Sequence, residues 1–312
     1  PLMKIVVLEP IHAEAMRLLR GEAEVVAWDD PAKHDWSDAD AVIVRAATVT
    51  REQIAAAPKL KVIGKHGIGV NAIDVAAARE RGIAVVYTPQ GNVNSVAELV
   101  ISMMLAVSRN LFPGMAAIRE GGARIAPPEQ TGLELSGKAL GLVGFGHIGS
   151  RVAAIAREGF GMDVHVFDPY LAPDRVPSGV ALHPTLEELL GLADYISVSV
   201  PLTASTRGLI GAAQLACCKK TAVLVNTARG GVVDEAALYE ALAEGRLFGA
   251  ACDVFEQEPP SAENPLFSLP CFIGSLHIGA NTEEALIRVG RTVASDVLAV
   301  LNGREPRFPY GQ

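Results

Sequence analysis

KALGLVGFGHIGSRVAAIAREGFGMDVHVFDPY, residues 138–170, combines an apolar strand, a glycine-rich turn, a helix and a second strand. Three glycines, Gly144, Gly146 and Gly149, follow the first strand and open the helix in the spacing G-x-G-x-x-G. The first glycine permits a tight turn, the second lets the backbone approach a pyrophosphate, and the third lets the helix pack closely on the sheet. The stretch predicts a βαβ unit that binds a dinucleotide at the helix N-terminus.

The second strand of this unit ends at Asp168, where a dinucleotide fold places the acceptor for the adenosine ribose hydroxyls. A carboxylate there repels a 2′-phosphate, and Pro169 and Tyr170 follow it instead of an arginine. The pattern favours NAD over NADP. The predicted cofactor-binding positions of the turn are Gly144, Gly146, His147, Ile148 and Gly149.

Apolar strand-like runs alternate with helical runs along almost the whole chain, in two blocks. Continuous apolar strands separated by helices are typical of parallel sheets covered on both faces. The fold class predicted is α/β, with two doubly wound parallel-sheet domains. The predicted strands are Lys4–Leu8, Ala41–Val44, Lys61–Ile63, Ala84–Tyr87, Ala139–Gly144, Asp163–Asp168, Tyr195–Val198, Ala222–Asn226 and Leu247–Cys252.

A long helix, Asn94–Leu111, separates the two blocks, because its apolar residues recur at helical spacing. A second helix near the end is capped by Asn281 or Thr282 and stops before Gly303. We infer that a Rossmann domain, residues 94–283, is inserted into the other domain. Residues 1–93 and 284–312 then form the substrate domain.

Composition narrows the function classes. The net charge of −8 gives no sign of the basic face that a general nucleic-acid binder needs. No apolar run reaches the roughly 18 residues that span a bilayer, so no membrane partner is expected. The four cysteines match no zinc or redox spacing, so we expect no metal and reduced thiols in a cytoplasmic protein. These cysteines are Cys217, Cys218, Cys252 and Cys271.

Three polar residues follow strands of the second block, where parallel sheets bind ligands: Arg229, Glu258 and His277. A histidine titrates near neutral pH and can take a proton from an alcohol or return it to a carbonyl. A carboxylate orients the histidine ring, and a guanidinium grips a substrate carboxylate at two points. Together with the dinucleotide turn, this set predicts hydride transfer at a 2-hydroxy acid.

Long ordered motifs make the chain similar to the D-isomer-specific 2-hydroxyacid dehydrogenases, and within them to the phosphoglycerate-oxidising members. The motifs are VRAATVT, VIGKHGIGVNAID, YTPQGNVNSVAE, GFGHIG, NTARGGVVDEAAL, DVFEQEPP and HIGANTEEA. The resemblance implies that Arg229 clamps the substrate, Glu258 partners the histidine and His277 is the acid/base. It also implies a homodimer formed with the helix from Asn94. It places three further residues near the cofactor: Thr227, Asp253 and Gly279.

The KHGIGVN loop resembles the loop of this family that receives the substrate carboxylate on backbone N–H groups, here around Ile68 and Gly69. Arg45 and Lys65 correspond to basic positions near the far end of the substrate. The phosphoglycerate enzymes often carry arginine at the position of Lys65. The lysine ammonium is a point charge, whereas an arginine guanidinium can bind an anion with two donors. We predict 3-phosphoglycerate or a similar anionic substrate.

Other substrates and one other class of function remain open. Glycerate with hydroxypyruvate, sulfolactate and lactate-like acids are alternative substrates. A formate dehydrogenase is disfavoured, because that enzyme resembles a pattern with Gln in place of Glu258. An NAD-sensing corepressor with the same fold is the distant alternative, and rapid NADH oxidation with a 2-oxo acid distinguishes it from an enzyme.

Overall fold

The computed structural model describes residues 3–122, 124–125 and 127–311. It divides into two compact units, Pro1–Asn92 with Ala280–Gln312 and Val93–Gly279. The first boundary between the units lies one residue before the predicted one. The second boundary, where the chain re-enters the first unit, lies at Ala280 rather than residue 284. Asn281 accepts a hydrogen bond from Arg45 and Thr282 caps the last helix, so both belong with the first unit.

The elements alternate as strands and helices. The strands are β1 (Lys4–Val7), β2 (Glu24–Val26), β3 (Ala41–Val44), β4 (Val62–Lys65), β5 (Ala84–Val86), β6 (Ala139–Val143), β7 (Asp163–Phe167), β8 (Val180–Leu182), β9 (Tyr195–Val198), β10 (Val223–Asn226), β11 (Gly249–Cys252) and β12 (Phe272–Gly274). The α-helices are α1 (Ala13–Arg20), α2 (Arg51–Ala55), α3 (Val75–Glu80), α4 (Val93–Ser108), α5 (Leu111–Arg119), α6 (His147–Phe160), α7 (Leu186–Leu192), α8 (Ala212–Cys217), α9 (Glu235–Ala243) and α10 (Glu283–Leu301).

The first unit is built on a five-stranded parallel sheet in the order β2-β1-β3-β4-β5. The central strand β3 is buried along its whole length, because apolar clusters cover both faces. Helix α10 lies close to β4 at Gly64, where an added Cβ would come within 2.6 Å of Val297. The segment Phe308–Tyr310 runs antiparallel along β5, with the Tyr310 N–H donating to Val85 at 2.8 Å.

The second unit carries a seven-stranded sheet in the order β12-β11-β10-β9-β6-β7-β8, with parallel pairing throughout. Strands β6, β9 and β10 are apolar and buried on both faces between two clusters. The predicted α/β class with two parallel-sheet domains is thus confirmed. The strand order reverses between β6 and β9, and such a switch point opens a crevice at the carboxyl ends of the strands.

The long helix predicted over Asn94–Leu111 is wrong at its end. Helix α4 stops at Ser108, and Asn110 takes a left-handed conformation with φ 50° before α5 begins at Leu111. Asparagine tolerates this conformation better than most side chains, so the turn breaks an otherwise continuous apolar pattern. At the last helix, Thr282 rather than Asn281 is the cap, because its side chain accepts the Ala285 N–H.

No single described helix is long and apolar enough to cross a membrane; α4 and α5 meet the length and composition test only as a pair bent by 58°. The four cysteines carry free thiols. Across residues 3–122, 124–125 and 127–311, no three histidine, cysteine or acidic side chains are grouped so that they could hold a metal ion.

Candidate functional site

The glycine turn lies between β6 and α6, at the switch point of the second sheet. Gly144 has a φ of 93°, and a Cβ there would lie 2.8 Å from the Ser199 carbonyl oxygen. A Cβ on Gly149 would overlap the Gly144 carbonyl oxygen, so helix and turn pack too closely for a side chain. Around Gly146, by contrast, there is open space. The turn is therefore tight on its protein side and accessible where a ligand would approach.

Helix α6 begins at His147, and its N-cap Gly146 supplies no side-chain hydrogen bond. The first N–H groups of a helix have no partner within the helix, and the helix dipole favours negative charge at this end. The backbone of His147, Ile148 and Gly149 is therefore free to bind the phosphates of a dinucleotide. These are the positions that the sequence predicted.

Asp168 follows β7 and holds the turn in place. One carboxylate oxygen accepts the Phe145 N–H at 2.9 Å, and the other accepts the Tyr170 N–H at 2.9 Å. Each oxygen of a carboxylate can accept a second hydrogen bond. Both therefore retain capacity for ribose hydroxyls, while the backbone bonds fix the direction in which they point.

Two buried hydroxyls at the carboxyl ends of β9 and β10, those of Ser199 and Thr227, have no hydrogen-bond partner among the described residues. Buried polar atoms are nearly always paired, so such atoms call for a ligand or water. The turn, the uncapped helix and these hydroxyls fit a dinucleotide. The resemblance had indicated Thr227, whereas Ser199 was missed; its position directly after an apolar strand was the signal available.

His277 and Glu258 form a pair, with His277 Nδ1 at 2.8 Å from Glu258 Oε2. Both side chains are partly exposed, at 48% and 37%. His277 has a φ of 52°, in the left-handed region that few non-glycine residues adopt. Strained residues of this kind concentrate at functional sites, where the surrounding structure must hold them.

Asp253 is the residue that holds this loop. Its carboxylate is 1% exposed and accepts the N–H groups of Ile278 and Gly279, each at 2.8 Å. Its backbone carbonyl accepts the His277 N–H at 2.8 Å. The resemblance had placed Asp253 and Gly279 near the cofactor. In the structure, the Asp253 carboxylate orders the backbone on which the histidine sits.

Arg229 lies in the loop after β10, and its guanidinium donates to the Ala228 carbonyl at 2.6 Å. Burial lowers the pKa of Arg229, and the negative charge of Glu258 opposes that shift, so the two side chains interact electrostatically. The loop is braced by Asn226, which accepts the Ala228 N–H at 3.1 Å and donates to the Arg229 carbonyl at 3.2 Å. Sequence reasoning missed Asn226, although a buried polar residue in an apolar strand was a usable signal.

The predicted substrate-binding residues of the first unit lie at the end of β4 and in the loops after β3 and β4. Arg45 is half-buried and Lys65 is 8% exposed. Ile68 and Gly69 are half-buried in the loop after β4. That loop is tied to Thr88, whose hydroxyl accepts the Gly67 N–H at 2.9 Å. The structure therefore groups Arg45, Lys65 and the glycine loop at the carboxyl ends of two neighbouring strands.

A family model matches residues 101–279, and it describes the D-isomer specific 2-hydroxyacid dehydrogenase, NAD binding domain. The chain is 45% identical to a D-3-phosphoglycerate dehydrogenase of Methanocaldococcus jannaschii, over 97% of this chain and 58% of that protein. It is 40% identical to a hydroxypyruvate reductase of Thermotoga maritima, over 92% of this chain and 94% of that protein. The chain thus spans little more than half the length of the first relative and nearly all of the second.

Solved structures give the same picture of the fold. A crystal structure of a protein from Thermus thermophilus superposes with a TM-score of 0.89 at 36% identity, covering 99% of this chain and 100% of that one.

Proposed function

The chain belongs to the family of D-isomer-specific 2-hydroxyacid dehydrogenases, and from this premise we propose that it is an NAD-dependent oxidoreductase that interconverts a small 2-hydroxy acid and its 2-oxo acid. The observation that carries the proposal is the His277–Glu258 pair, held at 2.8 Å on a loop that Asp253 orders. This is the arrangement that a reversible acid/base needs: an imidazole that can give or take a proton, with a carboxylate that orients it.

The pairing assigns a role to each ring nitrogen. Because Nδ1 faces the Glu258 carboxylate, that nitrogen carries a proton, and Nε2 is left to exchange a proton with the substrate oxygen. In reduction, the imidazolium gives the Nε2 proton to the carbonyl oxygen, while Glu258 stabilises the positive ring. In oxidation, neutral Nε2 takes the hydroxyl proton. NAD, when bound at the glycine turn, would supply or accept the hydride at the substrate C2.

Arg229 is suited to bind the substrate carboxylate. Its planar guanidinium offers five donors, and the bond to Ala228 uses one of them. The remaining donors can form a bidentate pair and polarise the carbonyl oxygen as charge develops. In the first unit, the N–H groups around Ile68 and Gly69 stay proposed donors to a substrate carboxylate.

For the substrate itself we propose a 2-hydroxy acid with an anionic tail, 3-phosphoglycerate first. Arg45 and Lys65 supply two cations next to the glycine loop of the first unit. The relatives named for phosphoglycerate and for hydroxypyruvate make glycerate the second candidate. These two substrates differ in whether the tail ends in a phosphate or a hydroxyl, so the charges around Arg45 are the features to test.

We also propose that the chain acts as a homodimer. Helix α5 exposes four large apolar side chains within two turns, and an exposed patch of this kind marks a protein interface. These side chains are Leu111, Phe112, Met115 and Ile118. A cytoplasmic location stays a prediction.

The test of the proposed reaction is a panel of 2-oxo acids assayed with NADH: phosphohydroxypyruvate, hydroxypyruvate, sulfopyruvate, pyruvate and glyoxylate. His277→Ala should lower kcat by roughly 10²–10⁴ with the best of these, the usual contribution of general acid–base catalysis. The Kd for NADH, measured by fluorescence, should change little because the glycine turn binds the phosphates. The exposed His34 provides the control His34→Ala, which should keep full activity. A wild-type protein that binds NADH but reduces none of the five acids would favour the corepressor alternative.

A further inference from the structure

A single carboxylate accepts hydrogen bonds from successive backbone N–H groups at the end of β3. Glu9, just after β1, accepts the N–H groups of Arg45 at 2.6 Å, Ala46 at 2.8 Å and Ala47 at 2.9 Å. Three successive N–H groups that converge in this way form a concave anion site. The protein fills that site with its own side chain, so the loop that carries Arg45 is closed around Glu9.

Lys65 contacts Arg45 from the side opposite Glu9. Its ammonium donates to the Arg45 carbonyl oxygen, while Glu9 accepts the Arg45 N–H. Both backbone groups of Arg45 are therefore bound by charged side chains, one from the loop after β1 and one from the end of β4. The Arg45 guanidinium reaches Asn281 Oδ1 at 3.4 Å. The position from which this guanidinium extends is thus fixed from two directions.

The same arrangement sets the charge around Arg45. Burial raises the pKa of Glu9, but the three N–H donors and the nearby Lys65 outweigh burial, and the pKa lies below the ordinary glutamate value. Glu9 is therefore an anion at neutral pH. His66 beside Lys65 is buried and has a pKa of about 4, so it is neutral there. Two cations and one anion leave a single net positive charge.

Resting on the proposed function, we propose that Glu9 is a positioning residue that sets the specificity for the substrate tail. It fixes the backbone of Arg45, and its charge offsets one of the two cations that a tail would meet. A phosphate carries close to two negative charges and gains most from extra positive charge, whereas a hydroxyl tail gains little. Glu9 thereby narrows the preference for phosphate over an uncharged tail.

Two variants separate position from charge. Glu9 Oε2 accepts all three N–H groups, and Oε1 accepts the Ala46 N–H as well. In Glu9→Gln, the amide oxygen can take the place of Oε2, which keeps the loop and removes the charge. In Glu9→Ala, both the acceptor and the charge are lost. Circular dichroism and thermal unfolding of each variant establish that the fold is retained.

The measurement is kcat/KM for phosphohydroxypyruvate divided by kcat/KM for hydroxypyruvate, at low and high salt. Glu9→Gln should raise this ratio about 3- to 10-fold at low salt, and the increase should shrink with salt because the new attraction is screened. In Glu9→Gln, kcat/KM for hydroxypyruvate should stay close to the wild-type value. Glu9→Ala should lose the increase, because the freed loop no longer holds Arg45 in place.

A ratio in Glu9→Gln that equals the wild-type ratio at both salt concentrations would overturn the proposal. So would a loss of the same size for both substrates in both variants, since that is the signature of a purely structural residue. If the wild type reduces neither acid, the proposed reaction fails separately. In that case the Kd for inorganic phosphate, measured by calorimetry, decides: Glu9→Gln should bind it about 3- to 10-fold more tightly, and equal affinity would overturn the role of Glu9.

Discussion

At the scale of the residue, Asp168 combines two functions in one carboxylate. It anchors the glycine turn through Phe145 and is placed to bind the ribose. Asp168→Asn keeps one acceptor oxygen but turns an amide NH₂ towards a donor and removes the charge that repels a 2′-phosphate. We expect the KM for NADH to rise about tenfold or more, the effect of losing a charge-assisted hydrogen bond. The KM for NADPH should fall relative to that for NADH.

The matched control is Asp163→Asn, an exposed aspartate at the start of the same strand, which should change neither KM. Steady-state kinetics with both cofactors provide the readout. A wild-type protein that uses NADPH as well as NADH would remove Asp168 from the role of discriminating residue.

His66 determines part of the acid stability of the first unit. Burial is the main cause that lowers its pKa from 6.5 to about 4, with Arg45 adding to the shift, and its Nε2 has no hydrogen-bond partner in the described chain. Between pH 6.5 and 4, His66 binds a proton in the unfolded chain but not in the folded protein. Stability is therefore complete above pH 6.5 and falls by about 3 kcal/mol as the pH drops to 4.

Urea unfolding at pH 7, 5.5 and 4.5 measures this effect. His66→Gln should flatten the pH dependence in that interval, because glutamine does not titrate there. The exposed His34 gives the control His34→Gln, which should follow the wild-type curve. His165, whose pKa is also lowered by burial, contributes equally to all three proteins and cancels in the comparison. Parallel curves for the wild type and His66→Gln would contradict the assignment.

At the scale of the element, Gly64 determines how closely α10 packs on the first sheet. A Cβ at this position would lie 2.6 Å from one methyl of Val297 and 2.9 Å from one of Val293. Gly64→Ala must therefore push the helix outward or force new rotamers. We expect the free energy of unfolding to fall by about 1–3 kcal/mol, the usual cost of overpacking a core.

Gly21→Ala in the same unit is the control. Gly21 has ordinary right-handed backbone angles, and its added Cβ would meet neighbours no closer than 3.4 Å. Denaturant unfolding of both variants should show a clear loss for Gly64→Ala alone. Equal stabilities would mean that α10 adjusts without cost.

The strands that were missed in the sequence share one position in the fold. Strands β2, β8 and β12 were not predicted, and each lies at an edge of its sheet and is three residues long. A run of apolar residues marks a strand that is covered on both faces. An edge strand is partly exposed, as β8 is throughout, so it lacks that signal.

The residues of the candidate site also fall into those that were predicted from the sequence and those that were missed. Arg229, Glu258 and His277 were predicted because their motifs follow strands in order along the chain. Glu9, the support of Arg45, acts through hydrogen bonds between segments that meet only after folding, whereas Asn226 supports Arg229 from within the same loop, two and three residues away. Glu9 lies 36 residues before the Arg45 N–H that it accepts, and no local pattern relates such positions.

At the scale of the whole molecule, the proposed dimer depends on α5. Phe112 and Ile118 are 58% and 63% exposed, and burying them against a second copy would remove a large apolar area from water. Ile118→Glu places a charge in that interface, so sedimentation velocity should show a shift from dimer to monomer. The control Leu18→Glu changes an isolated exposed leucine on α1 and should leave the dimer intact. A wild-type monomer would contradict the proposal.

The segment Phe308–Tyr310 protects this protein from self-association of another kind. Exposed strand edges template the stacking of further chains, which is how sheet proteins begin to aggregate. Here the Tyr87 N–H donates to Phe308 and the Tyr310 N–H to Val85, and the rings of Tyr87 and Tyr310 meet edge to face with centroids 5.4 Å apart. The apolar strand β5 thus pairs with a segment of its own chain, and this edge of the sheet is closed to strands of other molecules.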